Sequence, residues 1–364
     1  MSGASAGRSR FSRRTGLVLY AAGLLLFLEL FFRWFLGTEA RLRLVTSGHS
    51  DAAWRVYWAL KRPDPGQPLE TSSEAHPTRG WRAKPLLRDF PMPGGKTLST
   101  NSRGMRGRAE LAVPKPEGTR RLLVFGDSFT FGDEVADDET WAARLGALLP
   151  GVEVANFGQN GYGHDQMWLA LREEGLAASP DAVVLCSVSD DLHRNLLGFR
   201  SYAKPRFVDR GGDLVVEGVP VPPPAVMARR VALGPRLLDV LRILSGELRW
   251  RIDGEERAFA LTARILDGFF ADARRAGAET LLVEAPIVGE LESADPSPSR
   301  LEAKTAAFCA DHGIPYLNLR ARFAKLRREG VALKTHGHWG PFEHRVVAEG
   351  VAEALAGWAA RRSP

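Results

Sequence analysis

The chain has 364 residues, 45% of them hydrophobic and 25% charged, the balance of an ordinary globular protein, which excludes wholesale disorder, a collagen-like repeat and a polytopic membrane protein. Lys and Arg number 49 against 43 Asp and Glu, a net charge of +6. Arg8, Arg10, Arg13 and Arg14 supply four of those charges before the first acid, and the +2 left for the rest argues against a nucleic-acid partner. The two cysteines, Cys186 and Cys309, lie in apolar segments without CxxC or zinc spacing, so no disulfide framework is expected.

Behind the four arginines, residues 16–36 are apolar over a length that can cross a hydrocarbon core of roughly 30 Å. Glu29 and Arg33 interrupt the run near its end, spaced so that they can pair on one helix face, and Trp34 stands where an interfacial aromatic is expected. A cleavable signal peptide would need an A-x-A-like site after the run, and none follows. The expectation is a basic cytoplasmic leader (1–15), a single-pass transmembrane anchor (16–37), and everything beyond residue 38 outside the cytoplasm by the positive-inside rule.

Residues 38–61 have helical periodicity and read as a juxtamembrane helix. Residues 62–100, rich in Pro, Gly and Ser, read as extended coil. Together with the turn chemistry of 101–107 they form an expected linker, 38–118. From 119 to 361 strand and helix signals alternate. Strands are predicted at 121–125, 152–156, 182–188, 280–284 and 314–319. Helices are predicted at 138–149, 164–177, 236–246, 257–276, 300–311, 321–328 and 342–360, with a hairpin over 206–216 around Gly211-Gly212. This pattern argues for one doubly wound α/β domain with a mostly parallel sheet.

Chemistry-bearing residues cluster just past the predicted strand ends, the edge where open α/β sheets bind ligands. Gly126-Asp127-Ser128-Phe129 follows the first strand and Asn156-Phe157-Gly158-Gln159-Asn160-Gly161 the second. Ser189-Asp190-Asp191 follows the third, and His336-Gly337-His338-Trp339-Gly340-Pro341 precedes the last helix. His336, His338 and His344 could suggest zinc, which accepts three imidazoles, but no compact H-x-x-x-H pair exists and no metal is expected. Gly158, Gly161 and Gly163 have the wrong order for a dinucleotide fingerprint, and no cofactor is expected. Phe129, Phe131, Tyr162 and Trp339 could wall a substrate site, although packing is the commoner role of such aromatics.

The order of these blocks resembles the SGNH/GDSL hydrolases over roughly residues 99–360. The anchor and the Asn-Ser-x-Gly-x-Arg-Gly stretch at 101–107 resemble the membrane-anchored bacterial branch. The resemblance implies a flavodoxin-like sheet and acyl transfer, with Ser128 as nucleophile, His338 as general base, and the Gly161 and Ser128 N–H groups as oxyanion donors. Two positions depart from the family pattern. The oxyanion-donor asparagine falls on Asp190, whose carboxylate would oppose the developing charge, and the triad acid falls on His336. Asp127, Asp190, Asp191 and Glu343 are candidates for the missing acid. The expected activity is a membrane-anchored extracytoplasmic esterase acting on an ester-bearing small molecule, lipid or glycan. The alternatives are an O-acyltransferase or deacetylase of a cell-surface glycan, and a catalytically weak domain that binds a glycan or an envelope partner.

Overall fold

The apolar runs that alternate with helical segments in the sequence form a five-stranded sheet in the computed structural model, which describes residues 5–61 and 71–361. In chain order, α1 (Ser5–Phe35), α2 (Glu39–Arg43) and α3 (Asp51–Lys61) come first. Two small antiparallel pairs follow, β1 (Ser73–His76) with β2 (Gly80–Ala83), and β3 (Phe90–Pro91) with β4 (Thr97–Leu98). The body then runs β5 (Arg120–Phe125), α4 (Ser128–Phe131), α5 (Trp141–Leu148), β6 (Val152–Asn156), α6 (His164–Ala170), β7 (Ala182–Ser187) and α7 (Asp191–Arg194). It continues with the hairpin β8 (Arg206–Arg210) and β9 (Asp213–Glu217), α8 (Pro224–Leu233), α9 (Arg236–Arg249) and α10 (Glu255–Arg275). It closes with β10 (Glu279–Glu284), α11 (Arg300–Asp311), β11 (Tyr316–Asn318), α12 (Arg320–Arg328) and α13 (Pro341–Ala360).

The sheet order is β11-β10-β7-β5-β6, with every neighbouring pair parallel. This is the flavodoxin-like order, and the direction of winding reverses between β5 and β7. Strand periodicity divides the core accordingly. Leu123, Phe125, Val183, Leu185 and Leu282 face one layer with Met167 of α6 and Phe269 of α10. Leu122, Val124, Val184, Cys186 and Val283 face the other, with Trp141 of α5 and Val347 of α13. A central strand buried on both faces must be apolar at every position, which is why β7 reads as a continuous run.

Several elements differ from the sequence reading. Residues 71–100 form two hairpins packed on the body instead of open coil; the other expected coil residues, 62–70, lie outside the described residues. Trp81 is fully buried, with its indole N–H donating to the Asn160 carbonyl at 2.7 Å. The Gln159 side chain accepts the Ala83 N–H at 2.7 Å, so this segment braces the loop after β6. Few apolar residues scattered among Pro and Gly produce no period, which hid the hairpins. The expected juxtamembrane helix is broken into α2 and α3, with Gly48 at φ +96° between them. The helix expected over 164–177 leaves α-geometry after α6, at Leu171, for a π-turn, and α8 had no sequence signal that stood out.

Helix α1 carries the apolar stretch Arg13–Phe35, the one helix among the described residues long and apolar enough to cross a membrane, and none of its most apolar window is buried. Glu29 and Arg33 pair at 2.7 Å, as their spacing allows. Residues 1–4 of the basic leader lie outside the described residues.

Candidate active site

The site grows out of the carboxyl end of β5, at the edge where the winding reverses. Gly126 is there because nothing larger fits: a Cβ would come within 2.0 Å of Thr130 Oγ1 and 2.9 Å of the Cys186 carbonyl. Close packing, not a left-handed turn, is the constraint. Asp127 caps the one-turn helix α4, with one carboxylate oxygen accepting the Phe129 N–H at 2.9 Å. Its other oxygen accepts from the buried Arg194 guanidinium at 2.8 Å. Ser128, first residue of that turn, faces a cavity.

The loop before α13 brings His338 to it, with Nε2 2.9 Å from Ser128 Oγ. Trp339, wholly buried, pins this loop by donating to the Pro286 carbonyl at 3.0 Å. On the other side of the imidazole, Nδ1 lies 3.4 Å from Glu134 Oε1. Glu134 has φ +67° and follows Gly132 at φ +91°, so the chain doubles back after α4 and returns a carboxylate towards the serine that began it. Gly337, at φ +74°, leaves room: a Cβ there would strike both Glu134 oxygens at 2.6–2.7 Å. Burial works against the charged form of Glu134. The Lys334 ammonium, 2.5 Å away, and His338 outweigh it and hold the carboxyl below its usual range.

His336 does not take the acid's position. It is exposed, and its Nδ1 pairs with Thr335 Oγ1 at 2.7 Å, with no hydrogen bond to His338. The other candidate acids are also engaged elsewhere. Glu343 accepts the Lys334 and Gly340 N–H groups, each at 2.9 Å. Asp127 and Asp191 both accept from Arg194, at 2.8 and 2.6 Å. Burial and then the neighbouring Asp127 carboxylate push Asp191 well above its ordinary value, against the pull of Arg194. Sequence reasoning missed Glu134. The signal that could have found it is the Asp133-Glu134 pair directly after the glycine that ends the serine's helical turn.

Asp190 lines the cavity with its side chain half exposed, 3.6 Å from the Arg194 guanidinium. Gly161 lines it too, and neither its N–H nor that of Ser128 donates to a protein acceptor among the described residues. Asn160 lies beside Gly161 with a buried, unpartnered Oδ1. The cavity measures ≈ 380 Å³, the lower part of the range for small-molecule sites. Phe129 is part of its wall, whereas Phe131, Tyr162 and Trp339 are fully buried packing residues.

The three histidines considered for zinc do not converge. His344 is buried, and its Nδ1 accepts the Trp141 N–H at 3.0 Å. Burial, with the Arg106 charge, lowers it to about 3, so it serves as a neutral acceptor.

The turn motif at 101–107 reaches the site through Arg106. Its buried guanidinium donates to the carbonyls of Gly132 (2.9 Å) and Val135 (2.7 Å) and to Asp137 (2.7 Å), gripping both ends of the Asp133-Glu134 loop.

Residues 124–340, more than half of the chain, match the model of the GDSL-like lipase/acylhydrolase family. The chain belongs to that family. Its signature tetrad reads Gly126-Asp127-Ser128-Phe129 here. No curated protein matches the chain significantly in sequence. Among solved structures it is similar to a member of the lipolytic protein G-D-S-L family from Veillonella parvula (14% identity, 65% of this chain and 99% of that one, TM-score 0.39). It is also similar to Axe2, an acetylxylan esterase from Geobacillus stearothermophilus (12% identity, 65% and 95%, TM-score 0.40).

Proposed function

We propose that this GDSL-family protein is a serine esterase, anchored by α1 with its catalytic domain outside the cytoplasm, in which Ser128 is the nucleophile, His338 the general base and Glu134 its acid partner. The observation that carries the reading is the 2.9 Å contact between His338 Nε2 and Ser128 Oγ. In the acylation step Oγ bonds to the ester carbonyl carbon while Nε2 takes the hydroxyl proton. The oxyanion accepts from the Ser128 and Gly161 N–H groups. The tetrahedral adduct then expels the alcohol oxygen, which leaves with the proton from Nε2. Water repeats the sequence on the acyl-serine and releases the free acid. Glu134 accepts from Nδ1–H, fixes the tautomer and stabilises the imidazolium, a role His336, turned to Thr335, does not fill. At 3.4 Å that bond is long, and a positive charge on the ring would shorten it.

The small cavity, with Arg194, Asp190 and Asn160 in its wall, favours a short acyl group on a hydroxylated alcohol such as a glycan or a lipid headgroup. A fluorophosphonate probe should label the wild-type protein and neither Ser128→Ala nor His338→Ala, and hydrolysis of a short-chain p-nitrophenyl ester should follow the same pattern. Failure to label the folded wild type would sink the esterase reading. Product analysis, free acid against acylated acceptor, separates hydrolysis from transfer. Release of the full-length protein from membranes by a carbonate wash would sink the anchor.

A further inference from the structure

The two charges that interrupt the apolar stretch of α1 are not simply paired with each other. The Glu29 carboxylate accepts the backbone N–H groups of Arg236 and Leu237, each at 3.0 Å. Arg33 donates to the Gly234 carbonyl at 3.2 Å. These are the orphan backbone groups of the turn between α8 and α9, and the first N–H groups of α9 have no partner within their own helix. A carboxylate at that position also complements the helix dipole. The pair therefore satisfies the turn without water, which an apolar surrounding requires.

Depth follows from helix geometry. Glu29 lies six residues before Phe35, about 9 Å along the axis at 1.5 Å per residue. If residues 16–35 cross a core of roughly 30 Å, the turn bonded to Glu29 lies below the outer edge of that core. The side chains around it suit that position. Leu238, Leu241, Leu244 and Leu248 recur every three or four residues along α9, and with Leu233 at the end of α8 they are 43–70% exposed. The opposite face of α9, Val240 and Ile243, is buried against Leu36 of the α1 end and Ala53 and Val56 of α3. Exposed Arg242 and Arg249 flank the leucines, where anionic headgroups would meet them.

We propose that the α8–α9 turn and the leucine face of α9 form a second membrane element, sunk into the outer leaflet beside α1 and clamped to it by Glu29 and Arg33. The inference rests on the anchor reading above. It makes the domain a body held at fixed height and tilt, not one swinging on a tether. The depth is that of an interfacial helix, about 5–10 Å into the headgroup and acyl boundary.

The test uses the full-length protein in phosphatidylcholine–phosphatidylglycerol nanodiscs, with single cysteines carrying an NBD label at Leu24, Leu241 or the β-hairpin residue Val215, and with Cys186 and Cys309 replaced by alanine. Lipids spin-labelled on the acyl chain should quench Leu24 and Leu241, aqueous iodide should quench Val215, and each quencher should be several-fold weaker at the other sites. Leu241 open to iodide while Leu24 stays shielded overturns this inference and leaves the anchor standing. Both open to iodide overturns the anchor, and the inference with it. Leu241 shielded from both quenchers but transferring energy to a second labelled copy assigns the face to self-association, and also overturns the inference.

Discussion

The Glu134 carboxylate meets the far nitrogen of His338 at 3.4 Å, while the near nitrogen stands 2.9 Å from Ser128 Oγ. A carboxylate six residues after Ser128 therefore stands where the sequence pattern led one to look two residues before the histidine. We expect Glu134→Gln to lower kcat on a short-chain ester by about 10²–10⁴, the upper end being the loss when a triad carboxylate becomes an amide. His336→Ala should stay within about twofold, since surface changes away from the machinery have small effects. A steady-state comparison checks both, and a large loss in His336→Ala with an intact Glu134→Gln would reverse the assignment.

Legibility followed physical cause. β7 could be read because a strand buried on both faces must be apolar throughout, and Ser128 and His338 because each stands in a short block of distinctive residues. Glu134 was hidden because its place beside His338 depends on a left-handed turn at Gly132 and Glu134 that carries the chain back over α4. Nothing local in the residue types announces that return. Trp81 and the 73–83 hairpin were hidden for a related reason: their partner, the loop after β6, lies far along the chain. Glu29 and Arg33 were readable as a pair, but not as ligands of a turn some two hundred residues away.

Arg106 holds the loop that carries Glu134, touching the carbonyls on both sides of it, and under the proposed mechanism it is a positioning residue. Arg106→Lys cannot reproduce three directed donors with a point charge. It should lower kcat by about 10-fold or more while leaving KM within a few-fold, the split expected when only transition-state interactions are lost. The diagnostic is a double-mutant cycle: added to Glu134→Gln, the Arg106 change should cost almost nothing further. Full additivity in kcat would mean that Arg106 acts through some other part of the fold.

Asp190 and Asn160 border the cavity beside Gly161 with opposite tendencies. In the proposed mechanism Asp190, facing an Arg194 already shared with Asp127 and Asp191, opposes the developing negative charge. Half exposure screens it, and Asp190→Asn should raise kcat by about 10-fold, short of the 10²–10³ that a well-buried donor contributes. Asn160, whose side-chain oxygen has no partner, can turn its amide N–H₂ towards the cavity, because an amide's two ends are assigned by their surroundings. Asn160→Ala should therefore lower kcat about 10-fold or more with the fluorophosphonate site intact. A fall in Asp190→Asn at every pH would assign Asp190 a positive role, and an unchanged Asn160→Ala would remove the amide from the oxyanion site.

Glu284 offers a test of stability that is separate from catalysis. It ends β10 buried, with the Tyr316 hydroxyl donating to Oε2 at 2.5 Å. Burial raises its carboxyl from an ordinary 4.5 to about 7, with the Tyr316 hydrogen bond opposing and the Glu302 and Glu290 charges adding to the rise. In that window the folded chain keeps a proton that the unfolded chain has released. The stabilisation is complete below about 4.5, declines as pH rises, and is lost above about 7. Glu284→Gln carries no charge at any pH, and its carbonyl oxygen can still accept from Tyr316. The variant and the wild type should melt together near pH 4.5. By pH 8 the variant should melt higher by on the order of 5 °C, from a few kcal/mol of linkage and the size of the domain. Thermal scans of both proteins at four or five pH values measure the difference, in which all other titrating groups cancel. A constant offset across the series would mean that Glu284 titrates alike in the folded and unfolded chain.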